Sequence, residues 1–158
     1  MTEINYQSKP ASPFPIAIVV SRFNEPVTSK LLNSALARLE ACGFGQELIS
    51  VVHVPGAVEI PLICQSLLEK QPELQAVVTL GAVIRGETSH YDYVCEQVSQ
   101  GCQQIALTKG VPIIFGVLTT ENAEQAFARA GGTHSDKGVE SIDAAMEMVQ
   151  VLQAINSL

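Results

Sequence analysis

The fold of this chain is constrained most by one apolar run, Ala76 to Ile84 (AVVTLGAVI), and by the turn directly after it. A run with no charge and several β-branched side chains suits a strand buried on both faces, as at the centre of a parallel sheet. It stops at Arg85-Gly86, where the glycine lets the backbone turn sharply. Glu87, Thr88 and Ser89 come next, and their side-chain oxygens suit the free N–H groups of a helix start. His90 then falls in the first helical turn, with Tyr91 and Tyr93 beside it. A strand end, a glycine, hydroxyls, an arginine and a histidine meeting a helix N-terminus favour an anion site. His90 is the one good general acid/base candidate in the chain. Plain helix capping explains the same residues, and a lone histidine near a helix start is more often structural than catalytic, so the rest of the sequence has to decide.

Around this stretch the chain alternates strand with helix. Ile16–Ser21 (IAIVVS) reads as a strand ending in Arg22-Phe23-Asn24, with Asn24 placed to cap a helix and Pro26 suited to its first turn. That helix runs to about Cys42 on Leu31, Leu32, Ala35, Leu36 and Leu39, and Gly43 stops it. Leu48–Val54 reads as a second strand with His53 packed, and leads through Pro55-Gly56 into a helix over about Val58–Lys70. The helix that starts near His90 extends to about Thr108, and Pro112–Leu118 makes a fourth strand. Thr120 opens a short helix, the turn Gly131–Gly138 comes after it, and a last helix spans Val139–Ile155. Its apolar residues cover more of its circumference than one core contact needs. Residues 1–13 carry prolines and serines without periodicity and read as an extended arm or disordered tail before one domain, 14–158.

Composition narrows the partners. The net charge is −7 and no Lys/Arg cluster is dense enough to grip a phosphate backbone, which argues against nucleic acid. Charged residues make up 16% of the chain and apolar ones 47%, against about 25% charged in a typical soluble domain. A small monomer so poor in charge would expose large apolar patches, so the sequence calls for a homo-oligomer. The longest apolar runs hold about nine residues, far short of the roughly twenty that a membrane span needs. The N-terminus lacks the basic start and apolar core of a secretory signal. Cys42, Cys64, Cys95 and Cys102 are scattered and read as small hydrophobes in a reducing cytoplasm.

Four apolar strands alternating with helices imply a parallel sheet covered on both faces, with ligands bound beyond the carboxyl ends of its strands. The unusual residues collect at those ends: Arg22-Phe23-Asn24 after the first strand, Gly56 and Glu59 after the second, Arg85, Thr88 and His90 after the third, Phe115-Gly116 near the fourth. Phe23 in a polar turn suits stacking on a flat ligand, or a staple under the first helix. Glu59 suits holding hydroxyls, or a solvated charge at a helix start. Neither nucleotide-binding glycine motif occurs, the histidines have no paired metal spacing, and no serine elbow is present.

Taken together, SRFN (21–24), VPGAVEIP (54–61), GAVIRGETSHYDYV (81–94), PIIFGVLTTENAEQA (112–126) and ARAGG…DKG (128–138) resemble the lumazine synthase family. The resemblance runs from Ile16 to the C-terminus. It implies a three-layer α/β/α sandwich of the flavodoxin-like kind, on a four-stranded parallel sheet. The implied reaction is the penultimate step of riboflavin biosynthesis. There, 5-amino-6-(D-ribitylamino)uracil and 3,4-dihydroxy-2-butanone 4-phosphate condense to 6,7-dimethyl-8-ribityllumazine, releasing phosphate and water.

By the same resemblance Phe23 stacks on the pyrimidine. Ala57, Val58 and Glu59 bind that substrate and its ribityl chain, and Ala82, Val83, Ile84 and Phe115 complete the pocket. Glu87 and Thr88 meet the phosphate at the helix start, Arg129 pairs with it, and His90 carries protons. Lys137 contacts the site from a neighbouring subunit. The resemblance implies neither metal nor organic cofactor. It also implies a pentamer, a form that extends to a sixty-subunit shell, and a riboflavin synthase as partner. Thr133 and Ser135-Asp136 depart from the Lys and Gly-Asn of many members, which leaves one anion contact and the mode of assembly open. The alternatives are a non-catalytic binding or container protein on this scaffold, and the related archaeal riboflavin synthase.

Overall fold

A computed structural model describes residues 1–5 and 12–158. Residues 6–11, the middle of the expected N-terminal arm, lie outside the described residues. Four strands, β1 (Ile16–Ser21), β2 (Ile49–Val54), β3 (Ala76–Ile84) and β4 (Ile113–Thr120), form one parallel sheet in the order β2-β1-β3-β4. The helices are α1 (Glu25–Ala41), α2 (Ile60–Lys70), α3 (His90–Lys109), α4 (Ala123–Ala128) and α5 (Lys137–Asn156).

Successive side chains of a strand point to opposite faces, and this divides the interior in two. On one face Ile16, Ile18 and Val20 of β1 join Leu31 and Leu39 of α1 with Ile142 and Met146 of α5. On the other Ala17 and Val19 join Ile60 and Cys64 of α2 with Val98 and Cys102 of α3. The result is the expected three-layer α/β/α sandwich with a flavodoxin-like strand order. Ile18, Leu31 and Ile142 are wholly buried, and each such side chain contributes about 1.5–3 kcal/mol. Two glycines set how closely the helices of each layer approach. A Cβ at Gly138 of α5 would overlap the Leu31 carbonyl oxygen of α1, and one at Gly101 of α3 would overlap the Pro61 ring of α2.

Several local expectations are corrected. β2 is an edge strand and is not covered on both faces; Val51 and His53 are exposed. The register sets both beside Ile18 and Val20, on the face that α1 and α5 cover over the inner strands but leave open at this edge. His53 is therefore not packed. Asn24 precedes α1 but its side chain makes no cap; its backbone is left-handed at φ 61°. Residues 57–59 form a 3-10 turn, so α2 begins at Ile60. Ser89 lends no side-chain cap to α3. Asn122 rather than Thr120 caps α4, and Asp136 caps α5 two residues earlier than its apolar pattern indicates.

Strand order matters for the site. From β1 the chain moves outward to β2, then crosses back to add β3 and β4 on the other side. Loops leaving β1 and β3 therefore diverge, and the carboxyl ends of these two strands open into a crevice.

Candidate functional site

A cavity of about 370 Å³ occupies that crevice. Its floor is the end of β3, Ala82, Val83 and Ile84, and its walls include Ala57 and Val58 from the 3-10 turn after β2. Phe23 stands at its edge with 71% of its surface exposed, so it is no staple under α1. The turn that presents Phe23 is pinned on both sides. Arg22 N and Phe23 N donate to the carbonyls of Val54 and Pro55 at 2.8 and 3.0 Å, and Asn24 Nδ2 donates to the Ala82 carbonyl at 2.7 Å. Asn24 tolerates a left-handed backbone better than most residues, and its side chain ties the β1 turn to β3.

His90, the first residue of α3, lines the same cavity and is exposed. Its backbone N–H donates to Thr88 Oγ1 at 3.3 Å, and Thr88 also lines the cavity. Glu59 and Glu87 are exposed neighbours that do not line it. Glu59 is partly committed: a carboxylate oxygen accepts from Gly56 N at 2.9 Å.

Arg85 does not serve as the free cation expected here. Its guanidinium donates to Glu121 at 2.8 Å, pairs with Asp92 at 3.3 Å and lies 4.2 Å over the Tyr91 ring. The hydrogen bond to Glu121 is the main reason its pKa is raised. Tyr91 and Val94 of α3 close the cavity wall. Burial is the main reason the pKa of the Tyr91 phenol is raised. Asn24 and Tyr91 were legible in the sequence only as a helix cap and a flanking aromatic; asparagine tolerance for left-handed backbone was the sole hint.

The remaining expected residues gather elsewhere. A second cavity, about 450 Å³, runs along edge strand β4 and is lined by Phe115, Thr119, Arg129 and Lys137, with His134, Ser135 and Glu140. Arg129 is half-buried and donates one guanidinium N–H to the Gln125 carbonyl at 3.0 Å. Lys137 Nζ lies 3.7 Å from Glu140. The two cavities share no lining residue. The sheet links them, where Ala82, Val83 and Ile84 pair with Leu118, Thr119 and Thr120. Among the described residues no group of three or more His, Cys, Asp or Glu is placed to hold a metal ion, and no helix is long and apolar enough to cross a membrane.

An apolar slot with an exposed aromatic edge accepts a flat ring, and an imidazole at its mouth can move protons. The second cavity supplies what the first lacks, cations for a phosphate. Fold and cavity together define a doubly wound α/β protein with a cavity at its strand-order reversal, the place where such sheets bind ligands. Sequence comparison carries this to a family. The sequence profile of 6,7-dimethyl-8-ribityllumazine synthase matches residues 13–153. A 6,7-dimethyl-8-ribityllumazine synthase of Coxiella burnetii (strain RSA 493 / Nine Mile phase I) is 59% identical over 144 residues, 91% of this chain and 95% of that one. Its counterpart from strain Dugway 5J108-111 is 58% identical over the same shares. The chain belongs to the 6,7-dimethyl-8-ribityllumazine synthase family. Among solved structures, a de novo designed Rossmann fold protein aligns over 72% of this chain and 90% of its own. Its identity is 15% and its TM-score 0.43, too distant to bear on function.

Proposed function

We propose that this chain condenses 5-amino-6-(D-ribitylamino)uracil with 3,4-dihydroxy-2-butanone 4-phosphate to give 6,7-dimethyl-8-ribityllumazine, phosphate and water. The observation that carries the reading is the meeting of Phe23, Ala82–Ile84 and His90 around one cavity at the strand-order reversal. The pyrimidine stacks on Phe23, and the backbone at Ala57, Val58 and Ala82–Ile84 orients its edge. Glu59 accepts from ribityl hydroxyls beside the cavity. The amine nucleophile belongs to the substrate, so the protein needs no covalent residue; neither metal nor organic cofactor enters this scheme. His90 takes and returns protons as the imine forms and as phosphate leaves. Much of the acceleration comes from holding amine and carbonyl together.

The phosphate is met by Arg129, and by the backbone N–H groups of Glu87 and Thr88 at the start of α3; the Glu87 carboxylate itself would repel it. His90 and Arg129 line separate cavities in one chain, which supports a site completed by a second copy. We read the assembly as a ring of five, in which Phe115, Arg129 and Lys137 of one subunit face Phe23, Glu59 and His90 of the next. Apolar side chains left exposed, such as Leu62 and Leu107, fit burial in such contacts. Residues 14–158 are read as one domain because every described element packs on the one sheet. Four free cysteines fit a reducing, cytoplasmic setting.

Incubation with both substrates should produce the lumazine, read by its absorbance, together with stoichiometric phosphate. Turnover of lumazine alone to riboflavin would instead favour the archaeal type of riboflavin synthase. Tight binding of either ligand with no turnover would favour a container protein.

A further inference from the structure

We infer that His134 is a further ligand for the substrate phosphate, one whose contribution depends on pH. It acts beside Arg129 and Lys137, and rests on reading the cavity along β4 as the phosphate half of the site. His134 lines that cavity together with both cations. Backbone hydrogen bonds fix it there. His134 N and Ser135 N donate to the Ala128 carbonyl at 2.9 and 3.1 Å, Gly131 N to Ser135 O at 3.0 Å, and Lys137 N to Arg129 O at 2.9 Å. Ala130 and Asp136 add an antiparallel bridge. The turn between α4 and α5 is thus folded back on the residues around Arg129, and its tightness admits no side chain at Gly132, where a Cβ would clash with the Ala128 backbone.

The charges around the cavity that holds His134 can be named element by element. The end of α4 brings Arg129, α5 brings Lys137 and Glu140, and the α5 cap Asp136 stands beside the cavity without lining it; β4 contributes Phe115, Val117, Leu118, Thr119 and Thr120. Asp136 is occupied as the cap of α5, accepting from Gly138 N and Val139 N at 3.1 and 3.2 Å. Lys137 is partly offset by Glu140. A protonated imidazole would therefore add a full charge to a cavity whose cationic excess is small. The His134 ring meets Ser135 Oγ through Nδ1 at 3.2 Å. A hydroxyl can donate to a neutral imidazole or accept from a charged one. Imidazoles are the side chains that change charge between about pH 5 and 8.

Sulfate is the suitable probe, because it stays doubly charged across this range while a phosphate monoester does not. Its inhibition constant against the butanone phosphate should be measured at fixed ionic strength, at about pH 5.5 and about pH 8.5. Inhibition should weaken roughly three- to fivefold on going to the higher pH, the size of a solvent-screened charge contact. His134→Gln should lose that gain at low pH and match the wild type at high pH. His134→Lys should keep the tighter value throughout. A His134→Gln protein that retained the wild-type pH profile would overturn the inference while leaving the cavity reading intact. Sulfate inhibition unchanged in Arg129→Ala would bring down the cavity reading itself, and the inference with it.

Discussion

The cavity between β1 and β3 and the cavity along β4 are built from different materials. The first is walled by alanine, valine, isoleucine and exposed phenylalanine, with one imidazole at its mouth. Arg85, next to the lining residues Ile84 and Gly86, is already held by Glu121, Asp92 and the Tyr91 ring. The second is poor in aliphatic wall but holds Arg129 and Lys137, and only one carboxylate, Glu140, lines it with them. A flat ring is recognised by apolar surface and a few directed polar groups; a phosphate is recognised by charge and forked donors. Under the proposed function, the contrast gives the ring-bearing substrate to the first surface and the phosphate to the second.

The largest test concerns chemistry in the first cavity. His90→Ala should lower the single-turnover rate by about a hundredfold or less, the low end for general acid/base catalysis, with folding intact. A single-turnover rate with no dependence on pH in the wild type would remove His90 as the proton carrier. Next comes charge in the second cavity. Arg129→Ala should weaken the butanone phosphate by about one to two decades, as loss of a charge-assisted bond of roughly 1.5–3 kcal/mol requires, and leave pyrimidine affinity nearly unchanged. Equal losses for both substrates would erase the division of labour.

Mixing the two mutants sharpens the comparison further. In co-refolded rings of His90→Ala and Arg129→Ala chains, about a quarter of the head-to-tail interfaces should pair an intact histidine with an intact arginine. Activity should then rise roughly tenfold above either parent, given the two losses above. Mixed rings confirmed by native mass measurement but showing only averaged activity would put both residues in one subunit's site.

Smaller effects should come from the supports. Asn24→Ala removes the bond to Ala82 O and places alanine at positive φ, a cost of about 2 kcal/mol in thermal or urea unfolding. It should raise the KM of the pyrimidine more than that of the phosphate substrate. Arg85→Gln should change phosphate affinity by less than about threefold, because its charge is spent on exposed partners within the chain. A loss as large as that of Arg129→Ala would make Arg85 the true anion ligand.

Much of this was legible in the order of the residues. An apolar run such as Ala76–Ile84 has one economical place in a small α/β protein, the middle of a parallel sheet, and there it lies. Continuous apolar runs alternating with segments of helical spacing were enough to imply a parallel sheet covered on both faces. The motif set from SRFN to DKG carried the family. The commitment of Arg85 was not legible. Beside a helix start it read as part of an anion site. The pairing of β3 with β4 sets Glu121, 36 residues away in sequence, against Arg85 at 2.8 Å. His53 was misjudged for a related reason: its apolar neighbours in sequence indicate a strand, but only the strand order makes that strand an edge. Local periodicity reports which way a side chain faces; whether another element covers it, or cancels its charge, depends on contacts between distant segments that exist only once the sheet has formed.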